Sequence, residues 1–235
     1  MLIFAHRGSS ADAPENTLRA IKLALAQQVD GIELDVHQLG QDLVVIHDRW
    51  VHRTTDGKGQ LKDYSLEQLR TLDAGLGEKV PTLWEVMEAV AGQCVLNIEV
   101  KGLEDVSLVL AQIKQAQVLL GFSQEQFVVS SFDHHLLKQI KQLTPELKLG
   151  ALTASKPIDY ALFAAQLGAF SVNADITFLD QNFVNDAHQR GLKVFVYTVD
   201  EPEDLKMLFH WGVDGVFCNA PAAAKALVNS LGFQH

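Results

Sequence analysis

Gly31-Ile32-Glu33-Leu34-Asp35-Val36, then His37-Gln38-Leu39-Gly40-Gln41-Asp42, then Leu43-Val44-Val45-Ile46-His47, is the stretch on which the fold turns. Two apolar, β-branched runs are separated by only six residues. A parallel crossover needs about ten to twelve residues or more, so 43–47 reads as a hairpin arm folding back on 31–36. Similar short runs recur at 2–5, 94–101, 127–132, 147–153, 170–173, 192–199 and 213–218. Between most of them lie helical stripes, such as Leu18, Ile21, Leu25, then Leu108, Ile113, Ala116, then Leu136, Ile140, Leu143. Strands apolar on both faces, alternating with helices, predict a parallel α/β sheet. With the hairpin arm set aside, eight β/α units remain in 235 residues. That fits a TIM (β/α)8 barrel, for which about 250 residues is typical. A doubly wound open sheet is the alternative, but no G-x-G-x-x-G follows any strand. The expectation is one domain over 1–235, with an insert at about 48–80 holding the turn-rich Thr54-Thr55-Asp56-Gly57-Lys58-Gly59.

Composition narrows the partners. Hydrophobic residues make up 48% and charged residues 20%, the balance of a folded domain. Twenty-nine acidic against 19 basic side chains, a formal net charge of −10, argue against nucleic-acid and anionic-membrane partners, which need a basic footprint. A small anionic substrate stays open, because a divalent cation reverses the local field. Cys94 and Cys218 have no C-x-x-C spacing and sit in apolar runs, so buried free thiols are expected. The start lacks a basic n-region and a long apolar stretch, and no window supplies a membrane span. A cytoplasmic location is the expectation.

A TIM barrel carries its active site at the carboxyl ends of its strands. The first strand runs into His6-Arg7-Gly8. Side chains at i and i+2 share a face, so Glu33 points with Asp35, and Asn97 with Glu99 and Lys101. Ile32, Leu34, Ile98 and Val100 then face the helices. On one strand, Glu-x-Asp reads as a solvated polar face. On two neighbouring central strands it does not, because their inward faces cannot be wetted along their length. Three uncompensated carboxylates there are too costly, whereas their oxygens suit one hard divalent cation, Mg²⁺ or Ca²⁺. A lone histidine such as His6 is by default a hydrogen-bonded core group. Arg7 beside it and His47 closing the hairpin arm point instead to an acid–base pair for phosphoryl chemistry, with Arg7 and Lys101 on the non-bridging oxygens. His37, His52, His134, His135, His188, His210 and His235 read as surface or loop residues, with His37 the first exception to look for. Pro14-Glu15-Asn16-Thr17 reads as a helix start capped by Asn16 or Thr17, which leaves Glu15 unexplained.

Taken in order, His6-Arg7-Gly8, Pro14-Glu15-Asn16-Thr17, Ile32-Glu33-Leu34-Asp35-Val36, Val44-Val45-Ile46-His47-Asp48 and Asn97-Ile98-Glu99-Val100-Lys101 resemble the glycerophosphodiester phosphodiesterase family. The Thr54–Gly59 turn, Pro81-Thr82-Leu83, Ser131-Phe132 and Gly212-Val213-Asp214-Gly215-Val216 resemble it too, so the likeness spans nearly the whole chain. It is strongest to the short, soluble bacterial cytoplasmic members. The resemblance implies a TIM barrel that hydrolyses glycerophosphodiesters to sn-glycerol 3-phosphate and an alcohol. It implies His6 and His47 as general base and acid, Glu33, Asp35 and Glu99 as ligands of one divalent cation, and Arg7 and Lys101 on phosphate. Glu15, Asn16 and Asp48 would support them. Three details depart from the family pattern: Tyr197 where tryptophan is frequent, Asn219-Ala220-Pro221 where an aspartate often precedes the proline, and 37–42 without the usual Thr-x-Asp-Gly turn.

The attacking oxygen is either water or the neighbouring glycerol hydroxyl, the latter giving a cyclic phosphate. Two rivals are a metal-dependent aldolase, which has no use for a second histidine on a leaving alcohol, and an inactive binding barrel, which would lack a ligand or a histidine. The alcohol half of the pocket falls to Phe132, Thr153, Asn173, Asp175, Tyr197 and Asn219, a mostly polar rim. With no interfacial helix or basic patch, water-soluble deacylated diesters are the expected substrates. The sequence assigns no oligomeric state.

Overall fold

Parallel hydrogen bonding of Phe4–His6 to Gly31–Glu33 closes a nine-stranded sheet on itself in this computed structural model, which describes residues 1–232. The chain runs β1 (Leu2–His6), α1 (Leu18–Ala26), β2 (Gly31–Leu39), β3 (Asp42–Val45), α2 (Leu66–Leu69), α3 (Leu83–Val90) and β4 (Val95–Gly102). It continues through α4 (Ser107–Leu119), β5 (Phe127–Ser131), α5 (His134–Leu143), β6 (Lys148–Thr153), α6 (Leu162–Gln166) and β7 (Ser171–Asp175). The last units are α7 (Gln181–Gln189), β8 (Lys193–Tyr197), α8 (Pro202–His210), β9 (Gly215–Cys218) and α9 (Pro221–Gly232). Eight strands are parallel and close as β1-β2-β4-β5-β6-β7-β8-β9, with helices between them: a TIM barrel.

β3 is the antiparallel arm, paired from Val36↔Val45 to Leu39↔Asp42. Two boundaries differ from the sequence expectation. β2 overshoots the rim to Leu39, so Gly40-Gln41 alone makes the turn, and Gly40 takes the positive φ of 63° that it needs. The arm ends at Val45, and His47 lies beyond it in non-strand backbone. The helical stripes shift as well. α4 buries Val109, Ile113 and Ala116, while α5 buries Leu136, Leu137 and Ile140 and leaves Leu143 63% exposed at its last residue, past the packed face. Thr17, not Asn16, caps α1, its hydroxyl accepting from Ala20 N at 3.3 Å. Cys94 and Cys218 are buried free thiols, and burial pushes both up to about 12. His235 lies outside the described residues.

Inside the barrel, side chains stack in layers. Phe4, Phe195 and Phe217 form an aromatic plug inside it, with ring centroids 5.1–6.1 Å apart. Gly31 is required beside this plug, since a Cβ there would stand 2.4 Å from Phe4 Cδ1. Polar pairs share the interior: Asn97 donates to Ser130 Oγ at 2.9 Å, and Ser171 donates to Asn173 Oδ1 at 2.8 Å. The charged groups form the top layer, open to the carboxyl ends. The insert carries its own small core of Val51, Leu61, Leu69, Ala74 and Val80 against Leu39, Val44 and Ile46.

Candidate active site

The turn after β1 aims the first two site residues. Arg7 adopts φ 59° and Gly8 φ 80°, and a Cβ on Gly8 would sit 2.6 Å from the Ala20 carbonyl carbon. Left-handed backbone at Arg7 is costly for a residue with a Cβ. It is held by Arg7 N donating to Glu33 O at 2.9 Å and by Asn16 N donating to Arg7 O at 2.9 Å. The reward is placement: His6 and Arg7 both reach a pocket of about 160 Å³ with Glu33, His47, Glu99 and Lys101. A larger groove of about 420 Å³ between α4 and α5, lined by residues such as Leu110, Lys114 and Leu147, gathers no catalytic set.

Glu33, Asp35 and Glu99 each offer one oxygen within 4.8 Å of the others. Asp35, 1% exposed, receives Asn16 Nδ2 at 2.9 Å and faces Arg7 Nε at 3.0 Å and Lys101 Nζ at 3.1 Å. Lys101 also meets Glu99 at 2.5 Å. Burial pushes Asp35 up, but Lys101 and Arg7 outweigh it and hold the carboxyl below its ordinary range. Glu33 is pushed well above its usual value by burial, then by the charges of Asp35 and Glu99; Glu99 is raised by burial and Asp35. Glu33 Oε1 is buried with no hydrogen-bond partner. An orphaned carboxylate oxygen in an all-oxygen trio is the donor chemistry a hard divalent cation uses, so these residues fit one.

His6 and His47 are each held through Nδ1. His6 Nδ1 lies 2.8 Å from Asn219 Oδ1, and its Nε2 is 4.0 Å from Glu33 Oε2. Burial, then Arg7, lowers the His6 pKa. His47 Nδ1 meets Asp48 Oδ1 at 2.5 Å. His37, buried from most solvent, places Nε2 3.0 Å from the His47 carbonyl and supports that loop from behind. Glu15 is explained here: it binds Arg7 Nη1 at 2.8 Å and a residue absent from the sequence reading, Arg53. Arg53, from the insert, grips both Glu15 oxygens at 2.8 and 2.9 Å and pairs with Asp48 through Nε. One guanidinium thus ties the His47 arm to the Arg7 arm. Its only sequence signal was a basic residue just before the Thr54–Gly59 turn.

Of the six rim residues expected from sequence, Phe132, Asn173 and Tyr197 line the pocket, with Leu152 and Phe217 adding apolar surface. The other three are engaged elsewhere. The Thr153 carbonyl accepts from Tyr197 OH at 2.9 Å, Asp175 holds Thr177, and Asn219 turns inward to His6.

A family model described as the glycerophosphoryl diester phosphodiesterase family matches residues 6–223. The chain belongs to that family. It is an enzyme, a phosphodiesterase. A glycerophosphodiester phosphodiesterase of Caldanaerobacter subterraneus subsp. tengcongensis is 37% identical over 98% of this chain and 99% of its own. One from Bacillus subtilis is 33% identical over 94% of this chain and 84% of its own. Among solved structures, an Oleispira antarctica phosphodiesterase in complex with the product sn-glycerol-3-phosphate superposes with a TM-score of 0.89 at 30% identity, covering 97% of both chains. The family model begins at His6, the first of the pocket residues. Among the described residues no helix is long and apolar enough to cross a membrane.

Proposed function

We propose that this phosphodiesterase hydrolyses glycerophosphodiesters to sn-glycerol 3-phosphate and an alcohol, with one divalent cation held by Glu33, Asp35 and Glu99. The observation that carries the reading is the convergence of two histidines, each anchored through Nδ1, on a carboxylate trio in which Glu33 and Asp35 are buried and one Glu33 oxygen is unpartnered. The product bound by the Oleispira antarctica relative supports the glycerol 3-phosphate half. A bound cation supplies charge neutralisation at the phosphate and lowers the pKa of an oxygen nucleophile.

The chain's own groups do the rest. Arg7 and Lys101, already within 3.1 Å of Asp35, turn part of their charge to the non-bridging phosphate oxygens when substrate enters. His6 Nε2 takes the proton of the attacking oxygen. His47 gives a proton to the alkoxide as its P–O bond breaks, and Asp48 balances the charge of the doubly protonated ring. Leu152, Phe132 and Tyr197 offer apolar surface to the alcohol side of the substrate. The test couples glycerol 3-phosphate release to its dehydrogenase, with and without chelator. Chelator-sensitive turnover restored by Mg²⁺ or Ca²⁺ supports the reading; a normal rate in EDTA-treated protein refutes the metal.

A further inference from the structure

We infer that Asn219 and Asp200 form a positioning pair that fixes which ring nitrogen of His6 faces the substrate, an inference that rests on His6 being the base. A neutral imidazole carries its proton on one nitrogen, and the partner of the other nitrogen decides which. Nδ1 of His6 lies 2.8 Å from the Asn219 side-chain amide. Which end of that amide faces the ring follows from its other neighbours. Asp200 Oδ2 stands 2.6 Å from the amide's far end, and a carboxylate accepts from an NH₂, not from a carbonyl oxygen. The near end is therefore Oδ1, which also receives Ser10 Oγ at 2.9 Å. An oxygen there accepts from Nδ1–H, so the proton sits on Nδ1 and the Nε2 lone pair opens to the pocket.

Asp200 is itself anchored. Its Oδ1 accepts from Asn219 N at 2.6 Å and Ala220 N at 3.4 Å, at the start of α9. The loop after β8 thus clasps the first residues after β9, and Asn219 is held on both its backbone and its side chain. The acceptor is an amide, so it orients the ring without setting a charge beside it. That differs from the His47 side, where Asp48 is a carboxylate. The two histidines thus receive different partners through Nδ1, an amide at His6 and a carboxylate at His47.

The test is a cycle of His6→Ala, Asn219→Leu and the double variant, assayed for kcat and KM on glycerophosphocholine, with thermal unfolding alongside. Outer partners of functional histidines typically contribute about 10–100-fold. Asn219→Leu should lower kcat by that amount with KM little changed, and should cost nothing further in the His6→Ala background. An equal loss in both backgrounds, or no loss with His6 present, overturns the pair. Near-normal turnover of His6→Ala refutes the His6 base instead, so the two failures are distinguishable. Should Asn219→Leu not fold, the swap Asn219→Asp with Asp200→Asn keeps an acceptor toward Nδ1 and a donor between the two residues. Retention of most of kcat by the swap supports the pair, and a folded but inactive swap overturns it.

Discussion

Glu33 and Asp35 differ by two positions and share a face, yet their neighbours give them opposite electrostatics. Asp35 is the counterion of Arg7 and Lys101, whereas Glu33 receives only the Arg7 backbone N–H at 3.1 Å and stands off His6 at 4.0 Å. Removing the Glu33 charge should therefore relieve repulsion in the metal-free fold, whereas removing that of Asp35 should strip two cations of their counterion. Glu33→Gln should abolish activity while leaving the chelator-treated protein as stable or more so, because ionised Glu33 is disfavoured in the metal-free fold. Asp35→Asn should also abolish activity but lower stability. The loss should fall short of the about 3–5 kcal/mol typical of a stripped buried pair, since Arg7 keeps Glu15 and Lys101 keeps Glu99. Denaturant unfolding in EDTA reads both, and equal shifts would sink the distinction. For the histidines, His6→Ala and His47→Ala should each lower kcat by about 10²–10⁴-fold with metal content retained. Metal lost from His47→Ala would make that histidine a ligand or its support.

The insert is the element that makes the site one unit. Its small core seats Val51, Leu61 and Leu69 on the outer face of the hairpin, and the seated turn delivers Arg53 to Glu15 and Asp48. Arg53 is 43% exposed, and exposed ion pairs contribute about 0–1 kcal/mol, so Arg53→Ala should scarcely move the melting temperature. Catalysis should suffer more, with kcat/KM down about 10–100-fold, because Arg7 and His47 both lose a brace. A variant with full activity would reduce the clamp to surface decoration. The same clamp sets an acid limit. Hydrogen bonding from Arg53 and then His47 holds Asp48 at about 2, against an ordinary 3.8. A carboxylate depressed in the fold stabilises it fully above its unfolded value and loses that contribution as pH falls through the folded one. The clamp should persist above about pH 4 and fail toward pH 2, with the Asp48 carboxyl titration followed by NMR moving back up in Arg53→Ala.

Across the whole molecule, an aromatic plug and a charged layer share the barrel interior, with Phe217 belonging to the plug and to the pocket wall. Phe4→Ala should cost about 3–5 kcal/mol by opening a cavity in that plug, with little direct effect on kcat in the protein that remains folded. Substrate scope belongs to this scale too, because the pocket draws on strands from both halves of the barrel. The catalytic groups share one pocket with Phe132, Leu152, Tyr197 and Phe217, which leaves no long apolar channel for an acyl chain among its lining residues. Deacylated diesters such as glycerophosphocholine, -ethanolamine and -glycerol should therefore be turned over in preference to lysophospholipids. Without specific hydrogen bonds to the alcohol, their kcat/KM values should spread by only about 10–200-fold. A lysophospholipid that outpaced every deacylated diester would replace this reading with a lysophospholipase D.

Periodicity and spacing in the chain determined the barrel, the hairpin arm and the inward face of Glu33, Asp35 and Glu99, because strand alternation and minimum crossover lengths act locally along the sequence. They also determined that His6, Arg7 and His47 would stand at strand ends or next to them. The tertiary structure alone decided what each of those groups leans on. Arg53 comes 38 residues after Glu15, and Asn219 lies 213 residues from His6, separations that no periodic pattern reports. It decided as well that Asn219 turns inward and Asp175 away, since the choice depends on which loops meet over the barrel mouth. Local patterns set which residues face the centre; only the closing of the sheet, which brings β9 beside β1, sets their partners.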